Sequence, residues 1–230
     1  YRKLSELVKV PVYIDDNKRL DYPRGIIVNG GIYARELKYL KKNSIRYLLG
    51  NQYAPLRKPF WETRGRETRN AIESIMVTTG GNDPKNVMPK IVKFLKANYP
   101  ALRKDIIIGN AFGNIDAIKR EIDRNTNLIY SPDAKRMKDV MSRSDIAISS
   151  GGQTLHELAR VGVPTIAFLQ AENQRLNLEA WDKEGFIEYV GGYNNLGKKI
   201  SQGLDRLPLR KERARRSGIG MRLVDGQGAR

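Results

Sequence analysis

The chain has 230 residues, 40% hydrophobic and 29% charged, which suits a folded protein of one large or two small domains and not a disordered one. It has no cysteine and a single histidine, His156, so disulfides, thiolate metal sites, cysteine nucleophiles and multi-histidine metal centres are excluded. No apolar run approaches the ~18–20 residues of a membrane-spanning helix, and the net charge of +17 gathers in residues 1–66 and 206–230.

The opening YRKLSELVKV reads as a fragment of an amphipathic helix, so the chain is expected to begin inside a domain. Strand-like runs follow at 11–15, 25–29 and 45–50. The polar stretch ETRGRETRNAIE (62–73) then reads as a linker or hinge. Beyond it, short Val/Ile/Leu-rich runs at 74–79, 105–109, 127–131, 145–150, 164–169 and 187–190 alternate with helical stretches. Several runs lack polar alternation, as expected where both faces of a parallel sheet are covered. Val87, Ile91, Val92 and Leu95 form one apolar helix face. Further helices are expected near 135–143, near 153–161 with Gly162 as the stop, and through LNLEAWDKEG. Strand–helix alternation of this kind is the α/β pattern with a parallel sheet.

Two strand–glycine pair–helix devices carry the chemistry. In SIMVTTGGNDP, Gly80 and Gly81 let a ligand approach the backbone, with Asp83 as N-cap and Pro84 in the first helical position. In DIAISSGGQTLHELARVGVP, Gly151 and Gly152 turn the chain into a helix opening near Gln153. Helix starts present unpaired amides and partial positive charge, which favour phosphate at the carboxyl ends of the strands. Each turn alone would serve equally as a plain chain reversal. Neither is a Walker loop or a dinucleotide fingerprint. Glu157 suits ribose hydroxyls or simply a first-turn acid. Asn173 and Gln174 suit sugar hydroxyls or a helix cap. His156 adjoins Glu157, but its helix reads as a binding element, which argues against His156 as the catalytic base. Asp15 and Asp16, after the first strand, are the fallback bases or an ordinary turn.

The basic ends are compatible with a solvated surface, with peripheral contact at an anionic membrane surface, or with a phosphorylated small molecule. Nucleic acid is not supported, because no aromatic RNP-like strand or zinc-finger spacing occurs.

The strings MVTTGGNDPKN, ISSGGQTLHELARVGVPTIAFLQAENQ and LVDGQGAR, with GNQYAPLRKPFW upstream, resemble the UDP-sugar hydrolase family of pseudaminic acid biosynthesis. More distantly, the chain is similar to the glucosaminyltransferase of peptidoglycan synthesis. The resemblance implies an α/β, glycosyltransferase-B-like fold of two Rossmann-like domains facing a cleft. Residues 1–66 would be an incomplete N-terminal domain, 67–205 a nucleotide-sugar-binding domain, and 206–230 a basic tail packing back on the first. It implies a UDP-sugar as ligand, with no metal or cofactor, in the cytoplasm. Gly151, Gly152 and Gln153 would meet the diphosphate and Glu157 the ribose. Tyr130 to Met137 would face uracil. Gly80, Gly81, Asn82, Asn173, Gln174, Tyr53 and Arg57 would line the cleft and sugar end. The family's G-x-G-H-x-x-R motif, whose histidine is the base, does not occur in this sequence. A missing N-terminal segment, a partner chain, a transferase activity or a non-catalytic binding role therefore stand as alternatives.

Overall fold

The computed structural model describes residues 1–18, 20–63 and 65–229. The chain opens with α1 (Arg2–Glu6), then three strands, β1 (Val12–Ile14), β2 (Gly25–Asn29) and β3 (Ile45–Leu49), and two 3₁₀ turns, Asn51–Tyr53 and Lys58–Phe60. There follow β4 (Ser74–Thr78), α2 (Met88–Asn98), β5 (Arg103–Ile108), α3 (Ile115–Arg120), β6 (Thr126–Tyr130), α4 (Ala134–Arg143), β7 (Ile146–Ser150) and α5 (Thr154–Val161). The chain continues with β8 (Thr165–Leu169), a 3₁₀ turn at Glu172–Gln174, α6 (Arg175–Lys183), β9 (Ile187–Gly192), α7 (Leu196–Asp205) and α8 (Arg210–Leu223). The strands form two parallel sheets, ordered β1-β2-β3 and β6-β5-β4-β7-β8-β9. Each strand-like run of the sequence is a strand, and the α/β, parallel-sheet expectation holds.

The larger sheet is covered on both faces. Ile75, Val77, Ile106, Ile108, Ile146 and Ile148 point to one core, where α2, α3 and α7 pack. Their strand neighbours Met76, Ile107 and Ala147 point to the other, against α4, α5, α6 and α8. Period-two alternation between two apolar layers is why these runs lack polar residues. Every residue of β4 and β7 is buried.

Helix ends follow local chemistry. The Asp133 side chain accepts the Arg136 amide at 2.7 Å and starts α4. Gly162, at φ 76°, stops α5. The first-turn assignment for α2 needs correction: the helix starts at Met88, and its early proline is Pro89, not Pro84. Asp83 still caps it from a distance, its carboxylate accepting the Val87 and Met88 amides at 2.9 and 2.8 Å. Helices α3, α7 and α8 were not anticipated. α8, RKERARRSGIGMRL, has no apolar stripe to read. Instead Arg213, fully buried, donates to the carbonyls of Leu207, Pro208, Arg69 and Asn70. Arg216 pairs with Glu188 and Glu212. These tail arginines thus meet carbonyls and carboxylates of the protein itself.

Residues 65–73 form no helix or strand and are anchored: Arg69 and Arg66 reach the buried Asp145, at 3.1 and 3.8 Å. The chain after α8 returns to residues 51–61. Asn51 donates to the Leu223 carbonyl, and a Cβ on Gly228 would stand 2.4 Å from the Ala54 carbonyl oxygen. The smaller sheet packs a modest cluster of Tyr13, Tyr22, Ile27 and Ile45, while Val12 and Ile14 of its edge strand are 58% and 76% exposed. Among the described residues, no helix is long and apolar enough to cross a membrane.

Candidate nucleotide-sugar cleft

In the larger sheet the chain runs outward from β4 in one direction and from β7 in the other. The connections from these neighbouring strands leave to opposite faces, β4 into α2 and β7 into α5. Such a switch point opens a crevice at the carboxyl ends of the strands. Both glycine turns lie there, because Thr78 pairs with Ser149 in register.

The turn after β4 needs glycine for its backbone: Gly80 has φ 86° and donates its amide to the Thr78 hydroxyl at 3.2 Å. The turn after β7 needs it for packing, since a Cβ on Gly151 would lie 2.5 Å from Leu178 of α6. The Gly151 amide does not face the crevice as a free donor. It donates to the Gln174 side-chain oxygen at 3.3 Å, and Asn177 donates to the Gly151 carbonyl at 2.8 Å. Gln174 therefore holds the turn, and no described residue takes the Gly152 and Gln153 amides at the start of α5.

Two cavities flank this helix start. One, about 200 Å³, lies between the loops of the smaller sheet and α5 and is lined by Asp15, Asp16, Gly152, Gln153, Asn173 and Gln174, among others. The two aspartates differ. Asp15 is buried, its carboxylate accepting the Asn17 and Lys18 amides and the Tyr39 hydroxyl, the last at 2.7 Å. Burial, with the bond to Asp15, pushes the Tyr39 hydroxyl well above its ordinary range, so it stays a donor. Asp16 is exposed, and no described residue engages its carboxylate. Its backbone carbonyl accepts Tyr33, whose hydroxyl is pushed up to about 12 by burial and the neighbouring aspartates.

His156 also lines this cavity, yet it is buried and linked to the Gly30 carbonyl, Nε2 to oxygen 3.0 Å. Burial lowers its pKa to about 4, so at neutral pH it is uncharged and Nε2–H donates to Gly30. It ties α5 to the loop after β2.

The other cavity, about 330 Å³, meets the start of α5 at Thr154. Arg57, Gly80, Gly81 and Met137 line it, with Ser131 and Pro132 from the loop after β6. Tyr130 stands outside it, half exposed. Tyr53 and Asn82 line neither cavity. The Asn82 carbonyl accepts the Gln170 side chain at 3.4 Å. Glu157 is buried behind the turn and paired with Arg57 by two bonds, 2.7 and 2.9 Å.

The sequence reading missed Asn29, Gly30 and Gly31. They repeat the strand-then-glycine-pair device after β2, and the string GIIVNGG carried the signal. Asn29 accepts the Gly31 amide at 2.9 Å and donates to Tyr39 at 3.0 Å.

Residues 74–219 match the glycosyltransferase family 28 C-terminal domain. The chain belongs to that family. It is similar to the spore coat polysaccharide biosynthesis protein SpsG of Bacillus subtilis, 26% identical over 96% of this chain and 66% of the relative. It is also similar, at 25% identity over 92% of the chain and 38% of the relative, to a Helicobacter pylori protein. That protein is a pseudaminic acid cytidylyltransferase and UDP-2,4-diacetamido-2,4,6-trideoxy-β-L-altropyranose hydrolase. The chain thus spans between about a third and two thirds of the length of these relatives. Among solved structures, Acinetobacter baumannii MurG aligns with a TM-score of 0.60 at 14% identity, covering 97% of this chain and 72% of that one. The glycosyltransferase-B-like architecture is therefore established, and the chain is a glycosyltransferase-like protein related to nucleotide-sugar enzymes.

Proposed function

We propose that the chain is the nucleotide-sugar-binding part of a hydrolase that releases UDP from an amino or deoxy sugar, in nonulosonic (pseudaminic) acid or surface-polysaccharide biosynthesis. The observation that carries this reading is the meeting of two glycine turns and a helix start at the switch point of the sheet. The kinship with a protein named as a UDP-sugar hydrolase supplies the ligand class. In this reading the Gly152 and Gln153 amides and the Gly80–Gly81 turn receive the diphosphate. Glu157 accepts from the ribose, and the loop from Tyr130 to Met137 faces uracil. Asn173 and Gln174 attend the sugar end, and Tyr53 and Asn82, which line neither cavity, stand at its rim.

The chemistry is displacement at the anomeric carbon. The oxygen of water bonds to that carbon while the bond to the β-phosphate oxygen breaks, its electron pair leaving on UDP. Amides aimed at the diphosphate stabilise the charge that develops there. The proton of the attacking water needs a base. Asp16 suits this role better than Asp15, whose oxygens are already engaged, and better than the buried, neutral His156. Membership of a glycosyltransferase family favours one second reading, in which an acceptor hydroxyl replaces water. A chain that binds without turnover is the outcome expected if the base lies outside it.

Calorimetric titration with UDP and with AMP tests the reading. UDP is expected to saturate the site, Glu157→Ala to weaken it, and AMP not to compete. A suitable UDP-sugar should yield free sugar and UDP in water, or UDP only with an acceptor present if the chain is a transferase. No UDP binding at millimolar concentration overturns both.

A further inference from the structure

We propose that Arg57 is the residue by which this site distinguishes a nucleoside diphosphate from the corresponding monophosphate, with Glu157 as its positioning residue. The inference rests on the nucleotide-sugar reading above and goes beyond it in assigning the preference to one side chain. Among the described residues lining the 330 Å³ cavity, Arg57 is the one charged side chain. Around it stand Thr78, Gly80, Gly81, Asn110 and Thr154, which offer hydroxyls, an amide and bare backbone. Glu157, which is not part of this lining, balances that charge, so the cavity meets the outer edge of a fixed guanidinium fork, a donor geometry suited to an anion.

The side chain is held, not free to wander. Nε and Nη2 donate to the two oxygens of Glu157 at 2.7 and 2.9 Å, and the guanidinium carbon lies 5.5 Å from the centre of the Phe60 ring. Glu157 is nearly inaccessible, whereas the Arg57 side chain is 45% exposed. The fork is therefore anchored on its buried side and presented on the other. No described residue takes Nη1. Arg57 itself sits at the start of the Lys58–Phe60 turn, and Arg160 fixes that turn by donating to the Phe60 and Trp61 carbonyls at 3.0 and 2.8 Å.

The start of α5 gives any phosphate a partial positive charge, whatever its length. The oriented outer edge of the Arg57 guanidinium, lining the same cavity as Thr154 of α5, adds selectively to the ligand that reaches it. Glu157 has lone pairs beyond those given to Arg57, so it can accept from a ribose while it holds the guanidinium. The two residues then carry separable signatures.

The test is calorimetric titration of the whole chain with UDP, UMP and uridine, for the wild type and for Arg57→Gln, Arg57→Lys and Glu157→Gln. The wild type is expected to prefer UDP over UMP. Arg57→Gln is expected to weaken UDP by on the order of tenfold, the scale of one charge-assisted contact, and to leave UMP and uridine within about twofold. Arg57→Lys, which keeps charge but loses the fork, should recover only part of the preference. Glu157→Gln should weaken all three ligands. A wild-type preference for UDP that survives Arg57→Gln, or an equal loss for all three ligands in that variant, overturns the assignment to Arg57 and leaves the nucleotide site standing. Failure of the wild type to bind any of the three overturns the nucleotide reading and this inference with it.

Discussion

β2 reads GIIVN and β4 reads SIMVT. As strings they are equally apolar, and both lie in the middle region of parallel sheets. Yet β4 is buried at every position, and β2 only at Ile27 and Asn29. The difference comes from layers, not from the strands. β4 lies between two helical layers that close two separate cores. β2 has a cluster of tyrosines and two isoleucines, and beside it β1 leaves Val12 and Ile14 in the open. A run without polar alternation announces a strand that requires cover on both faces. It does not announce that the cover is present. The smaller sheet thus carries the exposed apolar edge, while the larger one supplies the rigid frame on which the glycine turns meet.

The contrast can be broken most forcefully in the larger sheet. Phe168 of β8 is fully buried, and Phe168→Ala should lower the unfolding free energy by ~3–5 kcal/mol, the range for emptying an aromatic site in a core. Denaturant unfolding checks this. An intermediate effect is expected at the join between the two sheets. His156 has a pKa of about 4 in the folded protein because of burial, against ~6.5 unfolded. As pH falls from 6.5 to 4 the unfolded chain therefore binds the proton first. Stability present above 6.5 is lost across that window, by roughly 3 kcal/mol in all, with no further loss from this group below 4. His156→Gln should flatten that part of the curve relative to the wild type, whatever the carboxylates contribute to both. The smallest effect belongs to the edge: Ile14→Ser should change stability by no more than ~0.5 kcal/mol in the chain as it stands. A large loss there would show that β1 is covered in solution.

The same contrast explains what could be read from the sequence. The strands were legible because short apolar runs punctuated by glycine and asparagine leave little alternative. α4 was legible because Met137, Val140 and Met141 repeat at helical spacing, and α5 because Gly162 supplies its stop. α8 was not, because its buried face includes Arg213 and Arg216, some of whose partners are carbonyls and a carboxylate distant in sequence. At the site, the two glycine turns were legible as a device, but their division of labour was not. That Gln174 consumes the Gly151 amide, and that Arg57 reaches Glu157 across a hundred residues, are tertiary facts. Asp15 and Asp16 are adjacent in sequence and alike in chemistry. Only the Tyr39 hydroxyl and the local turn amides separate them.

The central claim is that a uridine diphosphate group lies across the switch point between β4 and β7. Hydrogen exchange of the backbone amides, followed by mass spectrometry with and without saturating UDP, tests it most directly. The account predicts slowed exchange at Gly80–Gly81 and at Gly152–Leu155 together, with the amides of β1 and β3 unchanged. Protection confined to other segments, or none at millimolar UDP, would contradict it.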